Sequence, residues 1–342
     1  MKTIKVIAAQ NGAISVQEAS LGDLPDNYVC VQTAYSAISA GTELSIIDNS
    51  SERRVDLGYS ASGIITEIGA GVSEFKVGDK VAAYGAPYTG HKSIMHIPKT
   101  LVAKVPESVS LQEASLAGLG AIAIHAVRHA ELSFGEVIVV VGLGIYGQLI
   151  AQIARAAGLV VFALNRNPLR ANILKKASNG DIVPYTDETE LERDLALYTN
   201  NKGADAVFLC TGGDSNYLTN KSLEWCRDRG VSMIVGDLQP VYDRPLMFKK
   251  EISIKVSRAG GPGRYDENYE KNAIDYPYGY VRWTEGRNIG EYLRLLSEGK
   301  LIVSTYYDQE FHLNDFQVAY DALRERQAPV LTHLFKYRIE DK

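Results

Sequence analysis

The chain has 342 residues, 46% of them hydrophobic, and a formal net charge of −5. That length permits two domains with substantial cores, and the composition excludes a fibrous or disordered chain. The acidic balance and the short basic groupings, such as Lys249-Lys250, argue against nucleic-acid backbone binding, so a small or polar ligand is expected.

The start, MKTIKVIAAQ, lacks the apolar core of a signal peptide, and no run reaches the roughly 20 apolar residues that a bilayer-spanning helix needs. The expectation is a cytoplasmic protein without membrane contact. Cys30, Cys210 and Cys226 are odd in number, widely spaced and set in apolar or helical-looking sequence, which fits reduced buried thiols.

Up to about residue 120, short β-branched runs broken by turns, such as Val29–Thr33 and Gly63–Ile68, predict a twisted antiparallel or barrel-like domain. From Val137 the pattern becomes that of βαβ units, with strands at Val137–Val141, Val160–Leu164, Asp205–Cys210 and Val231–Val235. In the helix after the first of these, Leu149, Ile153 and Ala157 share the face turned to the sheet. A Gly/Pro/Tyr-rich segment after Ser257 leads to two helical stretches and a last apolar run, Val330–Phe335, read as returning to the first domain.

The run VIVVVGLGIYGQ sets Gly142, Gly144 and Gly147 between an apolar strand and an amphipathic helix. In that context the first glycine permits a tight turn, the second a close approach of backbone to pyrophosphate, and the third close packing of helix on strand. Ile145 and Tyr146 in the first helical turn, and Thr211 and Gly212 beyond the Asp205–Cys210 strand, complete this edge of the cofactor site. At the end of the second strand, where NAD binders carry a carboxylate, stands Asn165. A neutral side chain does not repel a 2′-phosphate and Arg166 or Arg170 can pair with one, which favours NADP(H) over NAD(H). The alternative is a plain ribose held by Asn165 beside two solvated arginines.

GAGVSEFKVGDKVAAYG, with Gly69, Gly71, Val72, Phe75, Gly78, Asp79 and Val81, resembles the signature turn of the medium-chain dehydrogenase/reductases. Ala40-Gly41-Thr42-Glu43 is similar to their Cys-Gly-Thr-Asp segment, and Gly58–Gly63 to their Gly-His-Glu-x-x-Gly segment. The resemblance covers essentially the whole chain. It implies an α/β protein: a GroES-like β-rich catalytic domain split into 1–121 and 258–342, around a Rossmann doubly wound parallel sheet at 122–257. SAGTE, LGAIAIHAVRHAE and GPGRYDENYE…DYPYGYVRWTEGRN further resemble the dehydrogenase half of bidomain oxidoreductases of sugar and polysaccharide metabolism. Where that family has Ser-Cys-Tyr-Gly, this sequence reads Ser257-Arg258-Ala259-Gly260. A homodimer is implied by the resemblance alone.

Catalytic zinc needs about three ligands from Cys, His and acid residues. The matching positions hold Ala40, Tyr59 and Leu119 or Gly120, and the segment matching the four-cysteine structural lobe contains no cysteine, so no metal is expected. Without a Lewis acid, a carbonyl reductase stabilises the alkoxide by hydrogen bonding and takes its proton from a side chain. Candidates are Tyr59 at the vacated ligand position, Thr42 at the hydroxyl position that relays protons in zinc relatives, His91 with Lys92 in a loop-like stretch, and Glu43 as the orienter of Tyr59 or a histidine. Arg264, Tyr265, Asp266, Tyr280, Arg282 and Trp283 offer polar forks and aromatic faces suited to a sugar or cyclitol, or else form a dimer contact or a self-packed loop. His125, His129, His312 and His333 read as structural.

The reading is a zinc-independent NAD(P)(H) oxidoreductase acting on an alcohol or ketone of a polar metabolite. An enoyl or quinone-type double-bond reductase and an inactive NADP-binding protein remain as alternatives.

Overall fold

The computed structural model describes residues 2–214, 216–325 and 330–338. The chain divides into two compact units, one of Met1–Ala121, Gly260–Glu298 and Tyr306–Lys342, the other of Ile122–Ala259 and Gly299–Thr305. The sequence reading gave 258–342 to the first unit, whereas 258–259 and 299–305 belong to the second. The seven residues Gly299–Thr305 differ because their backbone is held in the second: Gln152 Nε2 donates to the Ile302 carbonyl at 3.1 Å, and Gln152 Oε1 accepts the Ile302 N–H at 3.0 Å. Leu301 and Val303 on either side are buried.

The first unit is built on a sheet of seven strands, ordered Glu310–His312, Leu334–Lys336, Tyr28–Ala37, Ser60–Ile68, Lys80–Tyr84 and Val102–Lys104, with Ile94–Pro98 also paired to Tyr28–Ala37. Its pairings are antiparallel except for Glu310–His312 with Leu334–Lys336. A smaller sheet sets Lys2–Gln10 between Ala13–Leu21 and Val55–Asp56. Val29, Val31, Ile65, Val81, Met95 and Ile97 fill one core, and Ile7, Ile38, Leu57, Tyr320 and Phe335 another. Each such side chain contributes roughly 1.5–3 kcal/mol on burial. The last apolar run forms its strand at Leu334–Lys336, later than the expected start at Val330.

The second unit is a parallel sheet ordered Val160–Leu164, Val137–Val141, Ala204–Leu209, Cys226–Ile234 and Ser253–Val256. Every residue of Val137–Val141 is buried, as a central strand covered on both faces requires. Beyond Val160–Leu164, Tyr185 adds a parallel bridge to Leu164. Its N–H donates to the Ala163 carbonyl at 2.7 Å, and its carbonyl accepts the Asn165 N–H at 3.0 Å. With this one-residue strand counted, the order is the doubly wound 3-2-1-4-5-6. Helix Ile145–Ala156 buries Leu149 and Ile153 against the sheet, but Ala157 is its exposed C-cap, because the helix ends before that face completes another turn.

Among the described residues, no helix is long and apolar enough to cross a membrane. Cys30 and Cys226 are buried and Cys210 partly so, all with free thiols. Burial pushes the Cys226 thiol up to about 12.

Candidate active site

In the second unit, strand Val137–Val141 runs into Gly142, whose φ of 90° lies in the left-handed region. A Cβ on Gly147 would fall 1.9 Å from the Gly142 carbonyl oxygen, so the helix approaches the turn more closely than a side chain allows. Gly144 forms the N-cap without a side-chain cap, which directs the first-turn N–H groups, including those of Ile145 and Tyr146, outward for an anion. Thr211, just past the adjacent strand, has its Cβ 3.2 Å from where a Gly142 Cβ would stand, and Gly212 follows it on the same edge. These residues fit a dinucleotide.

Asn165 has a role the sequence did not suggest. Its Oδ1 accepts the Leu143 N–H at 3.0 Å and its Nδ2 donates to the Asn167 carbonyl at 3.1 Å, so it ties the glycine turn to the second strand. The Arg170 guanidinium stands over that turn, with Nη1 3.9 Å from the position a Gly144 Cβ would take, while Arg166 is exposed. Arg170 is thus the better placed of the two to meet a phosphate.

In the first unit, Tyr59 is half-buried immediately before strand Ser60–Ile68. Its ring meets that of Tyr84 edge-on, with centroids 6.0 Å apart and planes at 78°. Thr42 is exposed in the first turn of helix Ala40–Asp48, whose N-cap is Ser39. The donor set at the family's zinc positions does not fit the metal: Ala40 and Leu119 or Gly120 carry no ligand atom in their side chains, and a phenol at Tyr59 replaces imidazole.

His91 corrects the sequence reading, and Glu43 takes the histidine alternative that the reading left open. His91 is 0% exposed rather than reaching out from a loop, and Glu43, also 0% exposed, orients His91 and not Tyr59. His91 Nε2 and Glu43 Oε2 lie 2.9 Å apart, while His91 Nδ1 is 2.7 Å from Ser36 Oγ, itself 2.9 Å from the Tyr337 hydroxyl. Tyr320 donates to Glu43 Oε2, and the Ser39 N–H donates to Glu43 Oε1 at 2.7 Å. Burial, then Glu43, holds the Tyr320 phenol well above its ordinary range, so it stays a donor. The His91 N–H donates to the Leu57 carbonyl at 2.8 Å, which anchors the backbone two residues before Tyr59. Both side chains of the pair are closed off from the surface. Lys92 is likewise engaged, with Asp56 at 3.2 Å and the Pro87 carbonyl at 2.8 Å.

The expected substrate set does not gather into one pocket among the described residues. Arg264 turns inward and pairs with Glu270, and Tyr265 covers it from outside with its ring centroid 4.4 Å from the guanidinium carbon. Asp266 caps helix Glu267–Glu270 and accepts the Tyr276 hydroxyl. Arg282 stacks on Tyr278 at 4.5 Å and on Trp283 at 3.6 Å, and Tyr280 is 91% exposed. Arg264, Asp266 and Arg282 thus spend their polar groups or faces on partners within the segment, while Tyr280 remains in solvent. His125 stacks on His129 with centroids 5.5 Å apart, and burial, then His129, pushes it down to about 4, a neutral packing role.

The sequence reading missed Tyr84, Glu270 and Glu285. Glu285 is 0% exposed, and neither of its carboxyl oxygens accepts a hydrogen bond from a protein donor among the described residues. Burial, then the adjacent Glu270, raises it to about 8 against the opposing effect of Arg264. Helical spacing was the available signal: Glu285 shares a face with Asn288, Ile289, Tyr292 and Leu296, all buried.

A family model described as Zinc-binding dehydrogenase matches residues 146–275. A 2-dehydro-3-deoxy-L-galactonate 5-dehydrogenase from Pseudoalteromonas atlantica is 26% identical over 256 residues, 66% of this chain and 74% of that protein. A probable quinone oxidoreductase from Schizosaccharomyces pombe is 28% identical over 267 residues, 75% and 79% of the two chains. The crystal structure of galactitol-1-phosphate dehydrogenase from Escherichia coli shares the fold, with a TM-score of 0.78 at 17% identity over 97% of this chain and 100% of that one. With its glycine turn, doubly wound Rossmann sheet and GroES-like β-rich unit, the chain has the fold of the zinc-type alcohol dehydrogenases and is similar in sequence to medium-chain dehydrogenases and reductases.

Proposed function

We propose that the chain interconverts an alcohol and a ketone on a sugar, cyclitol or similar polyhydroxylated metabolite, using NADP(H) in preference to NAD(H) and no catalytic metal. The observation that carries this reading is an intact glycine turn, overhung by Arg170, in a chain whose zinc-ligand positions hold Ala40, Tyr59 and Leu119 or Gly120. The galactonate and galactitol-phosphate relatives support the substrate class.

A bound nicotinamide nucleotide supplies or accepts the hydride. The chain supplies the rest. Tyr59 donates the proton to the oxygen that becomes the alcohol, a role worth roughly 10²–10⁴-fold in rate. Tyr84 fixes the Tyr59 ring, and the His91–Glu43 pair fixes the backbone that leads to it. Thr42 is a second hydroxyl for the same proton path. Arg170 binds phosphate, and Arg170→Ala raises KM for NADPH roughly tenfold or more, and raises it more than KM for NADH.

The test follows NADPH and NADH oxidation, with a chelator present, against keto-sugars and cyclitol ketones in one panel and enones and quinones in another. Chelator-resistant turnover of the first panel, lost in Tyr59→Phe, supports the reading. Turnover confined to the second panel replaces it with the double-bond reductase that the quinone oxidoreductase relative favours.

A further inference from the structure

Among the residues after Gly260, Arg264, Glu270 and Glu285 carry their charged or chargeable groups into the interior of the first unit. Arg264 and Glu270 are paired and mostly buried, with side-chain exposures of 12% and 11%. Glu285 sits in the first turn of helix Glu285–Ser297, and the neighbours of the two glutamates in the chain meet: the Tyr269 hydroxyl donates to Thr284 Oγ1 at 2.9 Å and accepts the Gly286 N–H at 3.3 Å, which brings Glu285 up to Glu270. Two carboxylates and one guanidinium, all ionised, would leave an uncompensated charge in the core, which burial strongly disfavours. A carboxylic acid beside a carboxylate instead gives one strong O–H···O⁻ bond and leaves a neutral cluster. It also gives Glu285 the partner that no neighbouring donor provides.

We propose that Glu285 and Glu270 share one proton at neutral pH, and that this protonated pair is a positioning element holding Arg264 and the turn at Gly260–Gly263 against Tyr84. The links are short. The Gly260 N–H donates to the Tyr84 hydroxyl at 3.0 Å, Asn288 Nδ2 donates to the Gly260 carbonyl at 2.8 Å, and the Glu285 N–H donates to the Pro262 carbonyl at 2.8 Å. A Cβ on Gly260 would lie 2.6 Å from the Tyr84 ring and 3.0 Å from Glu285 Cβ, so the turn is clamped between the two. The ionisable groups around Glu285 are Glu270 and Tyr269 on the neighbouring helix, Arg264 on the turn, the Tyr276 phenol, and Tyr84 across the turn. Burial opposes the Arg264 charge, but Tyr84, Glu270 and Glu285 outweigh it and hold that charge in place. Losing the shared proton leaves the cluster one unit negative beneath Tyr84, the ring that packs on Tyr59. Only that last link, to Tyr59, rests on the function proposed above.

The test uses the full chain with carbon-13 glutamate, following the carboxylic-acid carbonyl band in the infrared and the near-ultraviolet circular dichroism of the tyrosines from about pH 6 to about pH 10. The expected result is an acid band that titrates away near pH 8 in the parent chain, with the tyrosine signal moving at the same midpoint and both changes absent in Glu285→Gln. Glu270→Gln, which leaves Glu285 facing Arg264 alone, lowers the midpoint by more than one pH unit, a tenfold change in proton affinity; it decides the matter if Glu285→Gln does not fold. A parent chain with no acid band above pH 6 overturns the shared proton. A tyrosine signal that ignores the midpoint overturns the positioning role. Neither readout needs turnover, so a chain that reduces no carbonyl still tests this inference.

Discussion

Glu43 and Glu285 are both sealed in the first unit with no exposed surface, yet they are treated in opposite ways. Glu43 receives a backbone N–H, a tyrosine hydroxyl and the His91 ring. Glu285 receives none of these and faces another carboxyl group. Burial alone therefore does not set the fate of a carboxyl group; the donors aimed at it do. One cluster is built around an acceptor, the other around a proton.

The largest effect that would break this contrast is expected at Glu43. Glu43→Ala leaves His91, Tyr320 and the Ser39 N–H without their acceptor, and loses about 3–5 kcal/mol in urea unfolding. A loss below about 1 kcal/mol would mean that the network relaxes and the comparison fails.

Glu285 gives the next effect, and this one depends on pH. Its folded-state pKa of about 8 lies above the ordinary 4.5, so the folded chain holds a proton that the unfolded chain releases. The stability from this group is present in full below about pH 4.5 and is lost as the pH rises through about 8, by a few kcal/mol in order of magnitude. Glu285→Gln removes the dependence, so its melting temperature should exceed that of the parent near pH 9 and approach it near pH 6. A parallel fall in both chains would rule out Glu285 as the source.

Two smaller substitutions sharpen the picture. Ser36→Ala removes the link between His91 and Tyr337 and should cost about 1 kcal/mol by chemical denaturation. Tyr280→Ala, at a side chain in solvent, should stay within about 0.5 kcal/mol, although it lies in the same aromatic run as the buried cluster.

The parts legible in the sequence are those whose cause is local. Gly142 and Gly147 are five residues apart and constrain each other through one turn, so strand, turn and helix could be read from a single run of letters. The βαβ rhythm was legible for the same reason, apart from the one-residue strand at Tyr185, too short to leave a pattern. The Asn11-Gly12 turn between the first two strands was equally local, though the sequence reading did not use it. The polar clusters are long-range. His91 meets Glu43 across 48 residues and Tyr320 meets Glu43 across 277, separations over which no periodicity operates. The RYD and YVRWTE residues were noticed as a set, but whether a fork points out to a ligand or in to a glutamate is decided by tertiary packing. Tyr84 carried no signal beyond its place at the end of a strand.

The bond pair between Gln152 and Ile302 bears on how the nucleotide-binding half can be handled in the laboratory. A fragment cut at residues 122–259, the natural choice on a linear map, would strip the amide of Gln152 of both its backbone partners and remove the two apolar side chains of Leu301 and Val303 from the interior they help to fill. An expressible version needs the heptad of residues 299–305 restored, by a tether or as an added peptide. The latter makes the fragment a split-protein pair whose reassembly can be titrated.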